Sequence, residues 1–135
     1  MKTTRIAAVV FLLLVQALPA LAITVHAPVW SATYVAAMQP TFGTQGVPLS
    51  GIMKLNFNHG IVSGTYDSTS VRPDPMRGRI VNVSGNVSKG QIMLIFHGPG
   101  TFTVRGTLDE DATISGTTTI GGTFHSFLAK VKSSP

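Results

Sequence analysis

A four-residue phrase, made of an apolar residue, a small residue or arginine, a glycine and a polar residue, occurs four times in this chain. The copies stand at residues 62–65, 83–86, 104–107 and 114–117, spaced 21, 21 and 10 residues apart. Each lies in a stretch where apolar and polar residues alternate, which is the two-residue period of a half-buried β-strand. A glycine inside a strand marks a place where a neighbouring backbone leaves no room for a side chain. The repeat therefore predicts consecutive antiparallel strands in a tightly curved sheet.

Residues 1–22 have the pattern of a secretory signal peptide. Lys2 and Arg5 precede an apolar run over residues 6–15, and an Ala-Leu-Ala cleavage site follows. The apolar run is too short to span a membrane comfortably. We therefore expect a secreted or periplasmic mature chain, residues 23–135, that folds as a single domain. The chain has no cysteine, which excludes both a cysteine-linked lipid anchor and stabilisation by disulfides.

The alternation predicts eight strands after the signal peptide. We place the first within residues 23–37 and the others at 51–57, 61–68, 78–87, 91–97, 101–108, 112–120 and 123–131. The connections after residue 50 are short, so successive strands should pair as antiparallel neighbours. Closing the sheet removes its two exposed edges, which predicts an all-β, eight-stranded, antiparallel up-and-down barrel. An outer-membrane barrel is the competing interpretation, but its strands need about nine to eleven residues and several of these are shorter.

One stretch of the chain, residues 50–68, resembles the second and third strands of the avidin and streptavidin family. The shared pattern is a serine opening a strand, a turn ending in glycine, then an apolar residue, any residue, Gly-Thr-Tyr, and a serine two residues later. The resemblance implies a secreted eight-stranded barrel with a ligand pocket. By position it also implies that Ser50, Tyr66 and Ser68 supply the hydroxyls that, in the family, converge on the ureido oxygen of biotin. Phe96 stands where the family has a tryptophan and is the implied apolar wall.

The chain also departs from that family. Its single tryptophan, Trp30, lies before the matched region, and Phe102 stands where the family has a polar contact. No acidic residue follows Asp111, so the last strand lacks the family's aspartate. These differences remove stacking area and a charge-assisted hydrogen bond. We therefore expect an unidentified small molecule or peptide as the ligand, and no tight binding of biotin.

A second hypothesis gives the chain a structural or interaction role. Beyond residue 22 it carries eight basic and five acidic residues, a formal net charge of +3 with neutral histidines. Arg72, Arg77 and Arg79 form the basic cluster, in a loop stiffened by prolines. In this hypothesis a filled barrel self-associates, or inhibits a secreted partner, through this partner-binding loop. The bases are otherwise scattered and do not interleave with aromatic residues, so nucleic-acid binding is not predicted.

Catalytic chemistry is not predicted either. The five acidic residues all lie in or beside predicted loops, and residues 109–111 are typical of a solvated turn. The four histidines show neither His-x-His nor His-x-x-x-His spacing. His125 alternates with Phe124 and Ser126 and can point out of the barrel. We therefore predict a binding protein without enzymatic activity, metal or cofactor.

Overall fold

Eight strands form one closed barrel in the computed structural model, which describes residues 25–41, 48–69 and 80–132. The strands are β1 (Val29–Pro40), β2 (Leu49–Asn58), β3 (Ile61–Ser68), β4 (Ile80–Ser88), β5 (Gln91–His97), β6 (Thr101–Leu108), β7 (Ile114–Ile120) and β8 (Thr123–Val131). Each strand pairs antiparallel with the next, and β8 closes onto β1. The predicted all-β, up-and-down barrel is confirmed. The predicted signal peptide and the arginine loop lie outside the described residues.

Four strands, β3, β5, β6 and β8, have the predicted bounds, and the others differ at their ends. β1 starts within the predicted range but ends beyond it, at Pro40, because its alanine-rich part pairs with β2 on one side and β8 on the other. β7 begins at Ile114, because Ala112 has a positive φ of 68° and its N–H donates to the Asp109 carbonyl in a turn. In the described ranges, no helix has the length and apolar character needed to cross a membrane.

The repeated glycines lie where neighbouring strands approach most closely. A Cβ atom on Gly64 would stand 1.9 Å from the Lys54 carbonyl oxygen, and one on Gly85 would stand 1.9 Å from the Met93 carbonyl oxygen. Backbone atoms cannot move aside as a flexible side chain can, so neither position accepts a side chain without displacing a strand. The expectation that these glycines mark a tightly curved sheet is confirmed.

Side chains fill the middle of the barrel. Tyr34, Tyr66, Phe96 and Phe127 are the largest of the fully buried residues, and methionine, leucine, isoleucine and valine side chains pack around them. Tyr34 and Tyr66 lie at the same level, each paired with Met53 of β2. An eight-stranded barrel is just wide enough for such a core. The interior is therefore packed at this level.

One end of the barrel is closed by apolar side chains, and we call it the sealed end. Trp30 of β1 stacks on Phe57 of β2, with ring centroids 3.8 Å apart and planes 2° from parallel. Val25, just before β1, packs against the core here. The inward positions nearest this end are all apolar: Trp30, Phe57, Val62, Val87, Ile92, Leu108, Ile114 and Val131. Nothing in this set provides a polar contact through its side chain except the indole N–H of Trp30.

Candidate binding site at the polar end of the barrel

The opposite end of the barrel holds the buried polar side chains. Apart from the two buried tyrosines, three polar side chains among the described residues are less than a tenth exposed: Ser68 at 5%, Thr118 at 4% and His125 at 3%. Ser68 ends β3, and Thr118 and His125 lie on either side of the turn between β7 and β8. All three therefore lie at the end opposite Trp30, which we call the polar end. Because burying a polar group costs free energy unless it is hydrogen-bonded, their partners need to be identified.

Ser68 is held against the start of β2. Its hydroxyl donates to the Ser50 carbonyl at 3.4 Å, and the N–H of Thr69 donates to the same oxygen at 2.8 Å. Ser68 faces Gly51 across the ladder. A Cβ atom on Gly51 would lie 2.6 Å from the Tyr66 ring, so this glycine makes room for the tyrosine. The Gly51 position thus sets the place of both Tyr66 and Ser68.

Thr118 and His125 face each other across the β7–β8 ladder. The Thr118 hydroxyl donates to the Thr103 carbonyl of β6 at 2.7 Å. His125 Nδ1 lies 2.9 Å from the Thr123 carbonyl oxygen. The expectation that His125 can point out of the barrel is wrong, because β8 buries His125, Phe127 and Ala129 on its inner face.

An aromatic cluster forms the inner wall next to these polar groups. Phe96 and Phe102 stack with centroids 4.7 Å apart and planes 8° from parallel. Tyr66 meets Phe96 edge to face at 5.4 Å, and Phe127 does so at 6.1 Å. Such geometries are favourable beyond the burial of area alone. Phe102, which stands at a polar position of the avidin family, is here part of an apolar wall.

The residues predicted as ligand contacts do not all have the same orientation. Tyr66, Ser68 and Phe96 are buried on inward positions of the polar end. Ser50 is half-buried and alternates with the inward Leu49 and Gly51, so its side chain has the outward parity. What Ser50 contributes to Ser68 is its carbonyl oxygen. Arg72, Arg77 and Arg79, predicted as partner contacts, lie outside the described residues.

Sequence reasoning missed Thr118 and His125 as site residues. Every second residue of a strand faces the barrel interior, and Ile114 on β7 and Phe127 on β8 are such inward residues. Counting in twos from them reaches Thr118 and His125. The signal was weak, because Thr117, Thr118 and Thr119 are identical and β8 also carries Phe124 and Leu128 on its outer face.

The barrel wall is incomplete beside Thr118. β6 and β7 share four residue pairs, from Arg105–Thr117 to Leu108–Ile114, and the ladder does not continue into residues 101–104 and 118–120. A groove of about 410 Å³ lies here, lined by outward threonines and reaching the inward Phe102 and Thr118. We call this groove the seam. The Thr118 hydroxyl bridges the seam through the Thr103 carbonyl, so the seam lies on the outer surface beside the polar end.

Among the described residues two titratable groups have shifted pKa values, Tyr34 in the middle of the barrel and Asp111 beside its sealed end. Burial raises the pKa of the Tyr34 phenol, and the charge of Asp111 raises it further. The N–H of Thr113 donates to the Asp111 carboxylate at 3.1 Å and lowers the pKa of that exposed carboxyl. In the part of the chain that the structure describes, no three histidine or acidic side chains are grouped so as to hold a metal ion.

Comparison with known proteins adds no family to this description. Neither protein-family models nor curated proteins give a match to the sequence. The assignment of function therefore rests on the geometry of the barrel.

Proposed function

We propose that this chain is an exported binding module that holds a small organic molecule, or a peptide side chain, at the polar end of its barrel. Binding occurs without chemical turnover. The export signal at residues 1–22 directs the chain out of the cytosol, to a secreted or periplasmic location.

The observation that carries this proposal is that, among the described residues, the buried serine, threonine and histidine side chains all lie at one end. Ser68, Thr118 and His125 are buried there beside the stacked Phe96 and Phe102, whereas the sealed end is apolar. A barrel that only needs to be stable gains more from apolar side chains at such positions, because each buried polar group must recover its lost hydration. Apolar walls with a few placed polar groups are typical of small-molecule sites.

The resemblance to avidin-like barrels supports the same end of the molecule. Tyr66 and Ser68, carried over from residues 50–68, lie at the polar end with Phe96. The tryptophans and the aspartate that hold biotin in that family are not matched. The ligand we propose therefore shares a location with the family's ligand and differs from it in chemistry.

A second function is favoured by a different observation, the packed middle of the barrel. Tyr34, Tyr66, Phe96 and Phe127 are fully buried by the barrel's own side chains and strands. A filled barrel of this kind acts through its surface, either by self-association or by contact of the arginine loop with a secreted partner.

Native mass spectrometry of the mature protein, purified without denaturation from its own compartment, tests the two functions. A discrete additional mass on the folded protein supports the binding module. Tyr66→Phe should then weaken retention by about 1–3 kcal/mol through the loss of a buried hydroxyl, and Ser31→Ala, on the exposed outer face, should not.

Bare protein in a defined assembly, with partner capture lost in Arg77→Glu, contradicts the binding module and supports the second function. Retention of the additional mass in Tyr66→Phe at the wild-type level would remove Tyr66 from the site.

A further inference from the structure

The tautomer of His125 is determined by its hydrogen bond. A carbonyl oxygen only accepts, so His125 Nδ1, at 2.9 Å from the Thr123 oxygen, must carry the hydrogen. A neutral imidazole has a single N–H, and its other nitrogen is an acceptor. His125 therefore presents the lone pair of Nε2 from an inward position of the polar end.

The residues paired with His125 carry no charge. The ring is 3% exposed, and its ladder partners are Thr118 of β7 and Pro40 of β1, neither of which carries a charge. The described acidic residues Asp67, Asp109, Glu110 and Asp111 are all exposed. No described carboxylate is therefore buried beside His125.

The other two buried polar side chains also donate to backbone carbonyls. The Thr118 hydroxyl donates to Thr103, and the Ser68 hydroxyl donates to Ser50. A hydroxyl that has donated its hydrogen keeps only acceptor capacity. These three side chains therefore offer a ligand acceptors, whereas three hydroxyls converging on a ligand oxygen would need to donate.

The structure assigns to the polar end a ligand that donates a hydrogen bond: a neutral aromatic or heteroaromatic molecule with an N–H or O–H on its edge, accepted by His125 Nε2. This inference rests on the proposed function and specifies its ligand class. The stacked Phe96 and Phe102 supply the apolar wall for the ligand ring. Because no carboxylate faces the interior among the described residues, a neutral donor fits better than a cation.

The first test measures the tautomer itself. ¹⁵N NMR of the imidazole nitrogens of the full mature chain, at about pH 8 where histidine is mostly neutral, should show Nδ1 protonated and Nε2 unprotonated for His125. The opposite tautomer overturns the inference and leaves the proposed function intact.

The second test uses indole as the probe and 1-methylindole, which lacks the N–H, as its matched control. Indole should shift the His125 Nε2 resonance and the Thr118 amide, and 1-methylindole should bind about tenfold more weakly, as expected for one hydrogen bond. His125→Leu should remove this difference, and His125→Gln, which keeps an acceptor oxygen, should restore part of it.

The outcomes separate the inference from the proposed function. Equal binding of indole and 1-methylindole, or no indole shift on a protein that native mass spectrometry shows to carry a ligand, overturns the donor class alone. No indole shift together with bare protein overturns both. If His125→Leu does not fold, the tautomer and the probe pair decide the question on the wild-type chain.

Discussion

The two ends of this barrel are formed by the same strands but differ in the side chains that they bury. At the sealed end Trp30 and Phe57 stack and the inward positions are apolar. At the polar end Ser68, Thr118 and His125 are buried, and each is hydrogen-bonded to a backbone carbonyl. The first arrangement gains free energy from area removed from water. The second gains little free energy from its polar groups, but their hydrogen bonds fix the direction of each side chain.

The largest effect should come from adding a side chain where the sealed half curves most tightly. Gly85→Ala places a Cβ atom 1.9 Å from the Met93 carbonyl, and we expect a loss of about 3 kcal/mol or more in the free energy of unfolding. Gly100→Ala, in a polar-end turn with no atom within 4 Å, is the control and should change stability by less than about 0.5 kcal/mol. Urea unfolding measures both, and equal losses would contradict the difference in curvature.

The next effect concerns the aromatic closure of the sealed end. Trp30→Ala removes the stack on Phe57 and should cost about 2–3 kcal/mol, below the value for a fully buried tryptophan because Trp30 is half-buried. Phe124→Ala, 47% exposed beside the seam, should cost much less. Thermal unfolding of the two variants compares them, and a larger loss for Phe124→Ala would reverse the roles we give to the two ends.

A third change should stabilise the protein. The Tyr34 hydroxyl is buried and has no hydrogen-bond partner within the described residues. Tyr34→Phe removes that desolvated donor and should raise the free energy of unfolding by up to about 1 kcal/mol. Destabilisation beyond about 1 kcal/mol in urea would indicate a partner for this hydroxyl.

Tyr34 also makes the wild-type protein sensitive to alkali. Burial raises the pKa of the Tyr34 phenol in the folded protein above its value in the unfolded chain. The neutral phenol's contribution to the free energy of unfolding is therefore complete below about pH 10 and declines at higher pH. As the pH rises above about 10, the wild type should therefore lose stability relative to Tyr34→Phe. Parallel stability curves for the two proteins would contradict the raised pKa.

The smallest effect tests the polar end. Thr118→Val removes the hydroxyl that bridges the seam and should cost about 1 kcal/mol, because the Thr103 carbonyl loses its donor. Amide hydrogen exchange near Thr103 should also become faster. Thr119→Val, exposed on the same strand, is the control. If both variants exchange like the wild type, Thr118 does not hold the seam.

Much of the barrel was predictable because its information is local. Apolar and polar residues alternate in β3, β5, β6 and β8, and turn residues bound each of these strands. Gly64 and Gly85 mark the curvature of the sheet, so the order of the strands could be predicted. The site was only partly predictable. Tyr66, Ser68 and Phe96 share the polar end, but Ser50 has the outward parity, which depends on its register with β1 and β3.

The remaining features depend on contacts between strands distant from any motif. His125 faces inward because of the phase of β8, which the apolar Phe124 and Leu128 obscure in the sequence. The seam arises where the β6–β7 ladder stops, and no residue type in either strand predicts that position. The two-residue period predicts which residues of a strand share a face. The register with neighbouring strands then determines whether that face is inside or outside the barrel.

The short β6–β7 ladder has a consequence for chain connectivity. β1 begins and β8 ends at the sealed end, where the N–H of Lys132 already donates to the Thr33 carbonyl of β1. β1 and β8 share seven residue pairs, whereas β6 and β7 share four. The strands at the two ends of the described chain thus close the barrel more extensively than two strands joined by a turn. A circular permutant that links residue 132 to residue 25 and is cut within residues 109–113 would place its new termini at the weakest junction of the ring.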